Sequence, residues 1–113
     1  MTDKSTYSII GGMNDYQRAA AETADPYRRA SDMRMLRLFY TALGLAGEAG
    51  EVANKVKKVM RDDGAEITAG RREAIKDELG DVLWYVAMCA AEIDCDLGTV
   101  ARENLEKLQH RHG

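Results

Sequence analysis

Apolar residues recur along most of the chain at intervals of three and four positions, which is the spacing of one helix face. Residues 1–12 are the exception, because they are polar and end in Gly11-Gly12, so we expect a loose N-terminal arm there. From Met13 to about Thr23 the period predicts a first, short helix. Asp25-Pro26 then stops or restarts that helix.

Three longer helices are predicted after this break, over about residues 31–60, 68–93 and 97–111. Ser31 and Thr68 are residue types that cap helix N-termini. Arg61-Asp62-Asp63-Gly64 and Asp94-Cys95-Asp96 supply the breaks between the helices. No stretch shows the period-2 alternation of a strand. Four helices with short connections predict one all-α, four-helix, bundle-like domain over residues 13–113.

The length, net charge and cysteine content of the chain limit the kinds of partner and compartment that it can have. A chain of 113 residues buries a smaller share of its surface than a large domain does, so a second subunit would help to stabilise it. A formal net charge of −3 gives no global field for a nucleic acid polymer. The longest apolar run, Val82 to Ala91, is too short to span a membrane, and the N-terminus lacks a signal-peptide pattern. We interpret Cys89 and Cys95 as buried reduced thiols and expect a cytoplasmic protein.

Acidic residues occur twice at i,i+3 spacing within predicted helices, as Glu48 with Glu51 and as Glu78 with Asp81. On a helical projection both pairs border an apolar face instead of lying opposite it. Glycines stand beside the acids, and each costs a helix about 1 kcal/mol relative to alanine, so we expect them to permit close helix packing or to leave room for a ligand. These glycines are Gly47, Gly50 and Gly80.

The predicted core faces are two apolar arcs that flank the acids. In the second helix the arc contains Leu38, Leu45, Ala49, Val52 and Val56, and in the third helix it contains Ile75, Leu79, Val82, Leu83, Val86, Ala90 and Ile93.

Packing these two faces together brings the four acids to one edge of the interface, where close carboxylates have raised pKa values unless a cation neutralises them. Oxygen ligands without His or Cys favour Mg²⁺ or Mn²⁺, whose remaining ligands come from substrate phosphates. The alternative is that the acids are solvated surface groups, with Glu51 and Lys55 forming an i,i+4 ion pair.

Two blocks, GLAGEAGEVANKVKK at 44–58 and KDELGDVLWYVA at 76–87, resemble the MazG-type nucleoside triphosphate pyrophosphohydrolases of the all-α NTP pyrophosphatase superfamily. That family's signature is E-E-x-x-E followed by E-x-x-D, and this chain departs from it at Gly47, where many members carry the first Glu. The positions that match are Glu48, Glu51, Glu78 and Asp81.

The resemblance implies a Mg²⁺-dependent hydrolase, with Mn²⁺ as a possible substitute, that converts a ribo- or deoxyribonucleoside triphosphate to the monophosphate and pyrophosphate. All four acids are then expected as metal ligands, with Glu48 or Glu51 helping to activate water. A homodimer or homotetramer and a role in cleaning nucleotide pools are implied as well.

Several further residues are candidates for binding the substrate. Lys55 and Lys58 lie on the same side of the second helix as its acids, where they hold phosphate oxygens or balance the acids. Asn104, Lys107 and Arg111 share one face of the last helix; N-x-x-K-L is similar to the family's substrate-binding Asn and Lys, and a solvated charged face is the alternative. Two positions are candidates for contacting the base, Gln17 by similarity to the family's first helix and Tyr85 by its angular position near the acids, whereas Trp84 is predicted at a subunit interface.

Three other functions compete with this one. Within the superfamily, a dUTPase and a phosphoribosyl-ATP pyrophosphatase share the acidic pattern. A non-enzymatic helical dimerisation or regulatory module would show no metal dependence and no stabilisation by nucleotide. A ferritin-like di-iron bundle is excluded, because it needs two E-x-x-H pairs that the sequence lacks.

Overall fold

The computed structural model describes residues 11–30 and 32–112, so most of the predicted N-terminal arm and the proposed Ser31 cap lie outside the described residues. Within this part of the chain there is no strand, and the all-α prediction is confirmed. The predicted long helices are present with ends shifted by a few residues, and a short helix that was not predicted begins at Asp25. The helices are α1 (Met13–Glu22), α2 (Asp25–Ala30), α3 (Arg34–Asp62), α4 (Ala69–Glu92) and α5 (Leu97–His112).

The connection between α3 and α4 is a tight turn. Gly64 and Ala65 both have positive φ, 60° and 66°, which reverses the chain direction after α3. The guanidinium of Arg71 donates to Asp63 Oδ2 at 2.6 Å and so ties α4 to the end of α3. Thr68 caps α4 as predicted, because its hydroxyl accepts a hydrogen bond from the Arg71 N–H at 3.2 Å.

The N-terminus of α5 is capped largely by side chains of α1. Its first backbone N–H groups point at polar side chains that accept hydrogen bonds, so the free donors of the helix end are satisfied. The acceptors are Gln17 Oε1 for Leu97 at 3.0 Å, Asn14 Oδ1 for Gly98 at 2.7 Å and Asp96 Oδ1 for Thr99 at 2.8 Å.

Helix α4 is the central element, because it packs against α1, α3 and α5. The core formed there is small and rich in alanine. The buried residues of this core are Ala20, Ala24, Tyr27, Ala87, Met88 and Leu97.

None of the helices in the described residues has the length and apolarity to cross a membrane.

The predicted core faces of the two long helices were partly wrong. Leu79 and Ile93 of α4 are 52% and 55% exposed, whereas Ala87 and Met88, which lie outside the predicted arc, are buried. Val56 of α3 is also 43% exposed. The physical reason is that α4 has apolar residues on most of its sides, so its periodicity does not indicate which side meets α1 and which stays uncovered.

The contact between α3 and α4 is antiparallel and includes several ion pairs. Ion pairs join the two helices along their length, with a residue late in α3 paired to one early in α4 and the reverse. The pairs are Arg37 Nε with Glu92 Oε1 at 3.0 Å, Lys55 Nζ with Glu78 Oε1 at 3.5 Å and Arg71 Nη2 with Asp62 Oδ2 at 3.5 Å.

Candidate functional site

Three carboxylates converge between α3 and α4. Glu48 of α3 and Glu78 and Asp81 of α4 each offer an oxygen, and these oxygens lie within 4.8 Å of one another. Glu78 and Asp81 share one side of α4 through their i,i+3 spacing, and the antiparallel pairing brings Glu48 opposite them. The structure therefore brings together three of the four acids that the sequence singles out, and we call these three the acid trio.

Glu51 stands beside the acid trio but not within it. Its side chain is exposed, one helical turn after Glu48. It is near enough for its charge to contribute to the raised pKa of Glu48. The prediction that Glu51 is a fourth ligand therefore stays a prediction.

The electrostatics of the acid trio favour a cation. The pKa of Glu48 is raised above its ordinary value, first by the Glu78 carboxyl, to which only a protonated Glu48 can donate a hydrogen bond, then by burial and by the neighbouring carboxylates. Glu78 Oε2 is buried and has no hydrogen-bond partner among the described residues. An unpartnered buried carboxylate oxygen is unfavourable. The donor set consists of carboxylate oxygens only and fits Mg²⁺ or Mn²⁺, and a bound ion would give that oxygen a partner.

The side chains of Trp84 and Tyr85, which we call the aromatic wall, adjoin the acid trio. A cavity of about 290 Å³ is lined by Glu48, Asp81, Trp84 and Tyr85, so carboxylates and aromatic rings face the same space. The Trp84 and Tyr85 rings meet edge to face with centroids 5.0 Å apart. Trp84 Nε1 donates to Thr23 Oγ1 at 2.7 Å. Within the chain the Trp84 ring therefore contacts Thr23 and Tyr27 and lines the cavity, and its place at a subunit interface stays a prediction.

Gly44 sets the position of the Tyr85 ring, and sequence reasoning missed it. A Cβ at Gly44 would overlap the ring of Tyr85, so α3 has a glycine where the ring packs on its backbone. A Cβ at Gly47, Gly50 or Gly80 would meet nothing within 4 Å in the described chain. Close helix packing within the chain is thus found at Gly44 and not at these three glycines, for which room for a ligand stays a prediction. The signal in the sequence was a glycine in the middle of an otherwise favourable helix.

Tyr16 is a second neighbour of the site that sequence reasoning missed. Burial raises the pKa of its phenol, and the charge of Asp81 raises it further. Tyr85 behaves in the same way, with burial as the main cause and Tyr40, Glu48 and Asp81 adding to it. Both phenols therefore keep their protons at neutral pH and remain hydrogen-bond donors near the acid trio.

Gln17, predicted to contact the base, is engaged with the backbone. Its Nε2 donates to the carbonyl oxygens of Ala87 and Cys95, both at 3.1 Å, and its Oε1 accepts from the N–H of Leu97 at 3.0 Å. The amide thus joins α1 to the end of α4 and the start of α5. Its contact with a base stays a prediction that would require exchange of these bonds.

The predicted cations take different positions. Lys55 pairs with Glu78 of the acid trio. Lys58 lies near Asp62, where the lowered pKa of that carboxyl is caused first by Arg61 and only in a minor part by Lys58. The three candidate residues of α5 are exposed and do not line the cavity beside the acid trio; they are Asn104, Lys107 and Arg111.

Comparisons with known proteins agree with this geometry. Residues 40–113 match the family model described as the MazG nucleotide pyrophosphohydrolase domain, a range that includes the acid trio, Glu51 and the aromatic wall. The chain is 50% identical over 97 residues to the Gene 37 protein of Mycobacterium phage L5, which covers 85% of this chain and 84% of that protein. No solved structure gives a significant match.

Proposed function

The chain belongs to the MazG nucleotide pyrophosphohydrolase family, and we propose that it converts a ribo- or deoxyribonucleoside triphosphate to the monophosphate and pyrophosphate. The observation that carries the proposal is the acid trio, whose buried Glu78 Oε2 has no hydrogen-bond partner in the described chain. This cation site opens on a cavity with an aromatic wall. A substrate with a polyphosphate and a flat base suits this cavity, because the phosphates can bind the cation at the carboxylates and the base can stack on the aromatic rings.

In this proposal the four acids have different positions and related tasks. Glu48, Glu78 and Asp81 would hold Mg²⁺, or Mn²⁺ in its place, and Glu51 would supply a further oxygen at the exposed side. The bound ion supplies positive charge that offsets and orients the phosphates. Glu48 or Glu51 accepts the proton of the attacking water, and Glu51 acts as this base in the case where it is not itself a ligand.

The remaining side chains bind the substrate. The rings of Trp84 and Tyr85 provide a stacking surface for the base, and the phenols of Tyr16 and Tyr85 are donors near the acids. Lys58, which lies near Asp62 and does not line the cavity in this structure, is proposed to contact phosphate oxygens when the substrate binds. The candidates Gln17, Asn104, Lys107 and Arg111 require a rearrangement or a neighbouring subunit to reach the cavity, because they do not line it in this structure.

We propose that the reaction removes unwanted nucleotides from the cytoplasmic pool, and the two free cysteines suit a reducing compartment. The partners are the nucleotide and other copies of the chain, in a homodimer or homotetramer, and not a nucleic acid polymer or a membrane. The small core supports this assembly, because a chain that buries few large apolar residues gains stability from a partner.

The first experiment measures pyrophosphate release from canonical ribo- and deoxyribonucleoside triphosphates, dUTP and several oxidised or methylated nucleotides, each with Mg²⁺ and with EDTA. We expect release with Mg²⁺ only, and the order of rates ranks the substrates. A preference for dUTP would indicate the dUTPase alternative. If folded protein releases no pyrophosphate from the whole panel, phosphoribosyl-ATP is tested next, and failure there leaves the non-enzymatic module.

Substitutions of single acids test the site and separate the two roles of Glu51. We expect Asp81→Asn to lose both Mn²⁺ binding and turnover, with the helical circular dichroism unchanged. If Glu51 is the base, Glu51→Gln keeps Mn²⁺ binding and loses turnover by about a hundredfold or more. If Glu51 is a ligand, both are lost. Activity retained in both variants would end the argument for this site.

A further inference from the structure

Lys55 of α3 forms an ion pair with Glu78, one of the two members of the acid trio that α4 contributes. Its Nζ lies 3.5 Å from Glu78 Oε1, across the contact of α3 with α4. Both side chains are largely shielded from water, with exposed fractions of 27% and 16%. Among the ion pairs of residues 11–30 and 32–112, this is the one that reaches the trio. The ammonium therefore sits where three carboxylates would otherwise repel one another.

The two oxygens of Glu78 have different surroundings. Oε1 faces Lys55, whereas Oε2 is buried without a hydrogen-bond partner in the described chain. The lysine thus uses one oxygen of the carboxylate and leaves the other for a cation. A phosphate-binding lysine would direct its ammonium into the substrate cavity, but that cavity is lined by Glu48, Asp81, Trp84 and Tyr85, and Lys55 is not among its lining residues.

We propose that Lys55 is an internal counter-ion that holds the acid trio together before a divalent ion binds, and thereby limits how tightly that ion binds. This inference rests on the metal site of the proposed function. With Lys55 in place, the ammonium already offsets part of the repulsion among the three carboxylates. The site therefore keeps its shape without an ion, and the divalent ion binds more weakly. Without Lys55, the same three carboxylates depend on the ion alone.

The test compares Lys55→Met, which keeps the length and loses the charge, with Lys55→Arg, which keeps the charge. Lys57→Met is the matched control, because Lys57 is exposed on the same helix and outside the site. Mn²⁺ affinity is measured without nucleotide by electron paramagnetic resonance, and thermal unfolding is followed in EDTA and in saturating Mn²⁺. We expect Lys55→Met to bind Mn²⁺ about tenfold more tightly. Its melting temperature should fall in EDTA and recover with Mn²⁺, while the other two variants stay close to the unchanged protein.

Each outcome decides the inference. A Lys55→Met protein that folds only in the presence of Mn²⁺ also supports it. Unchanged or weaker Mn²⁺ affinity, together with a raised KM for the nucleotide, would overturn it and make Lys55 a phosphate ligand. If the unchanged protein releases pyrophosphate and binds Mn²⁺ but Lys55→Met binds no tighter, only the inference on Lys55 fails. If the unchanged protein binds no Mn²⁺, the metal site of the proposed function fails with it.

Discussion

Gly44 determines how closely α3 approaches the aromatic wall, because the Tyr85 ring occupies the space of a side chain at that position. We expect Gly44→Ala to push the ring away, which should lower the free energy of unfolding by about 1–3 kcal/mol. The better helix propensity of alanine should offset up to about 1 kcal/mol of this loss. The displaced ring should also raise the KM for the nucleotide. Urea unfolding and steady-state kinetics measure the two effects.

Gly47→Ala is the matched control, since a Cβ at Gly47 meets nothing within 4 Å in the described chain. Its stability should rise by up to about 1 kcal/mol, as for an ordinary glycine in a helix. If Gly44→Ala is as stable as Gly47→Ala and has an unchanged KM, the ring does not depend on this glycine.

At the residue scale the sequence predicted the acids but not their aromatic neighbours. Glu78 and Asp81 are three residues apart on one helix, so their shared side follows from helix geometry alone. The contact of Gly44 with Tyr85, and the closeness of Tyr16 to Asp81, join residues far apart in the chain. Such contacts leave no periodic pattern within one helix, and only the packing of α1, α3 and α4 produces them.

At the scale of helices, the start of α5 offers a pH-dependent test. The Asp96 carboxylate accepts hydrogen bonds from Thr99, which is the main reason that its pKa lies below the ordinary value of 3.8. A pKa lowered by folding stabilises the protein fully above the ordinary value, and this contribution is lost as the pH falls through the lowered value. Asp96→Ala should therefore lower the melting temperature at neutral pH, and by less at pH values of about 3.

Asp96→Asn separates the cap from its charge, because the amide oxygen still accepts the hydrogen bond but does not titrate in this range. We expect its melting temperature near neutral pH to fall between those of Asp96→Ala and the unchanged protein. The difference between Asp96→Asn and the unchanged protein should shrink on acidification. A difference that stays constant with pH would show that the charge at Asp96 contributes nothing to stability.

The existence of the long helices was predictable, whereas the sides that they bury were not. Capping residues and breaks such as Thr68 and Arg61-Asp62-Asp63-Gly64 are local signals, and the structure confirms them. Leu79 and Ile93 belong to a regular apolar stripe and yet are about half exposed. An apolar stripe indicates that a surface will be covered, but it does not indicate whether the cover comes from the same chain. The ion pairs between α3 and α4 add to the ambiguity, because they contribute to that contact and leave no apolar period in the sequence.

At the scale of the whole molecule, the outer side of α3 is an uncovered apolar surface among the described residues. Large side chains lie towards both ends of the helix and alanines lie between them, so a second helix could approach closely at the centre. The large residues and their exposed fractions are Met35 (55%), Phe39 (54%), Leu43 (74%), Val56 (43%) and Met60 (69%), and the exposed alanines are Ala46, Ala49 and Ala53.

The dimensions of the chain point in the same direction. Its Cα radius of gyration is 16.5 Å, whereas a compact domain of this length has a value of about 13 Å. A second copy of the chain, antiparallel to the first along α3, would bring the apolar residues at one end of the helix against those at the other. A second copy packed on α3 would account for both the uncovered apolar surface and the extended shape.

We therefore expect the protein to be a dimer or a tetramer at micromolar concentration and Ala53→Glu to dissociate it, because the substitution would bury an unpaired charge at the centre of the contact. The dissociation constant should rise at least about a hundredfold, which corresponds to about 2.8 kcal/mol. Ala69→Glu is the matched control, since Ala69 is exposed at the first turn of α4, where an acidic residue is favourable. Light scattering coupled to gel filtration gives the masses. A monomeric mass for the unchanged protein, or one unaffected by Ala53→Glu, would remove α3 as the contact surface and leave its apolar side unexplained.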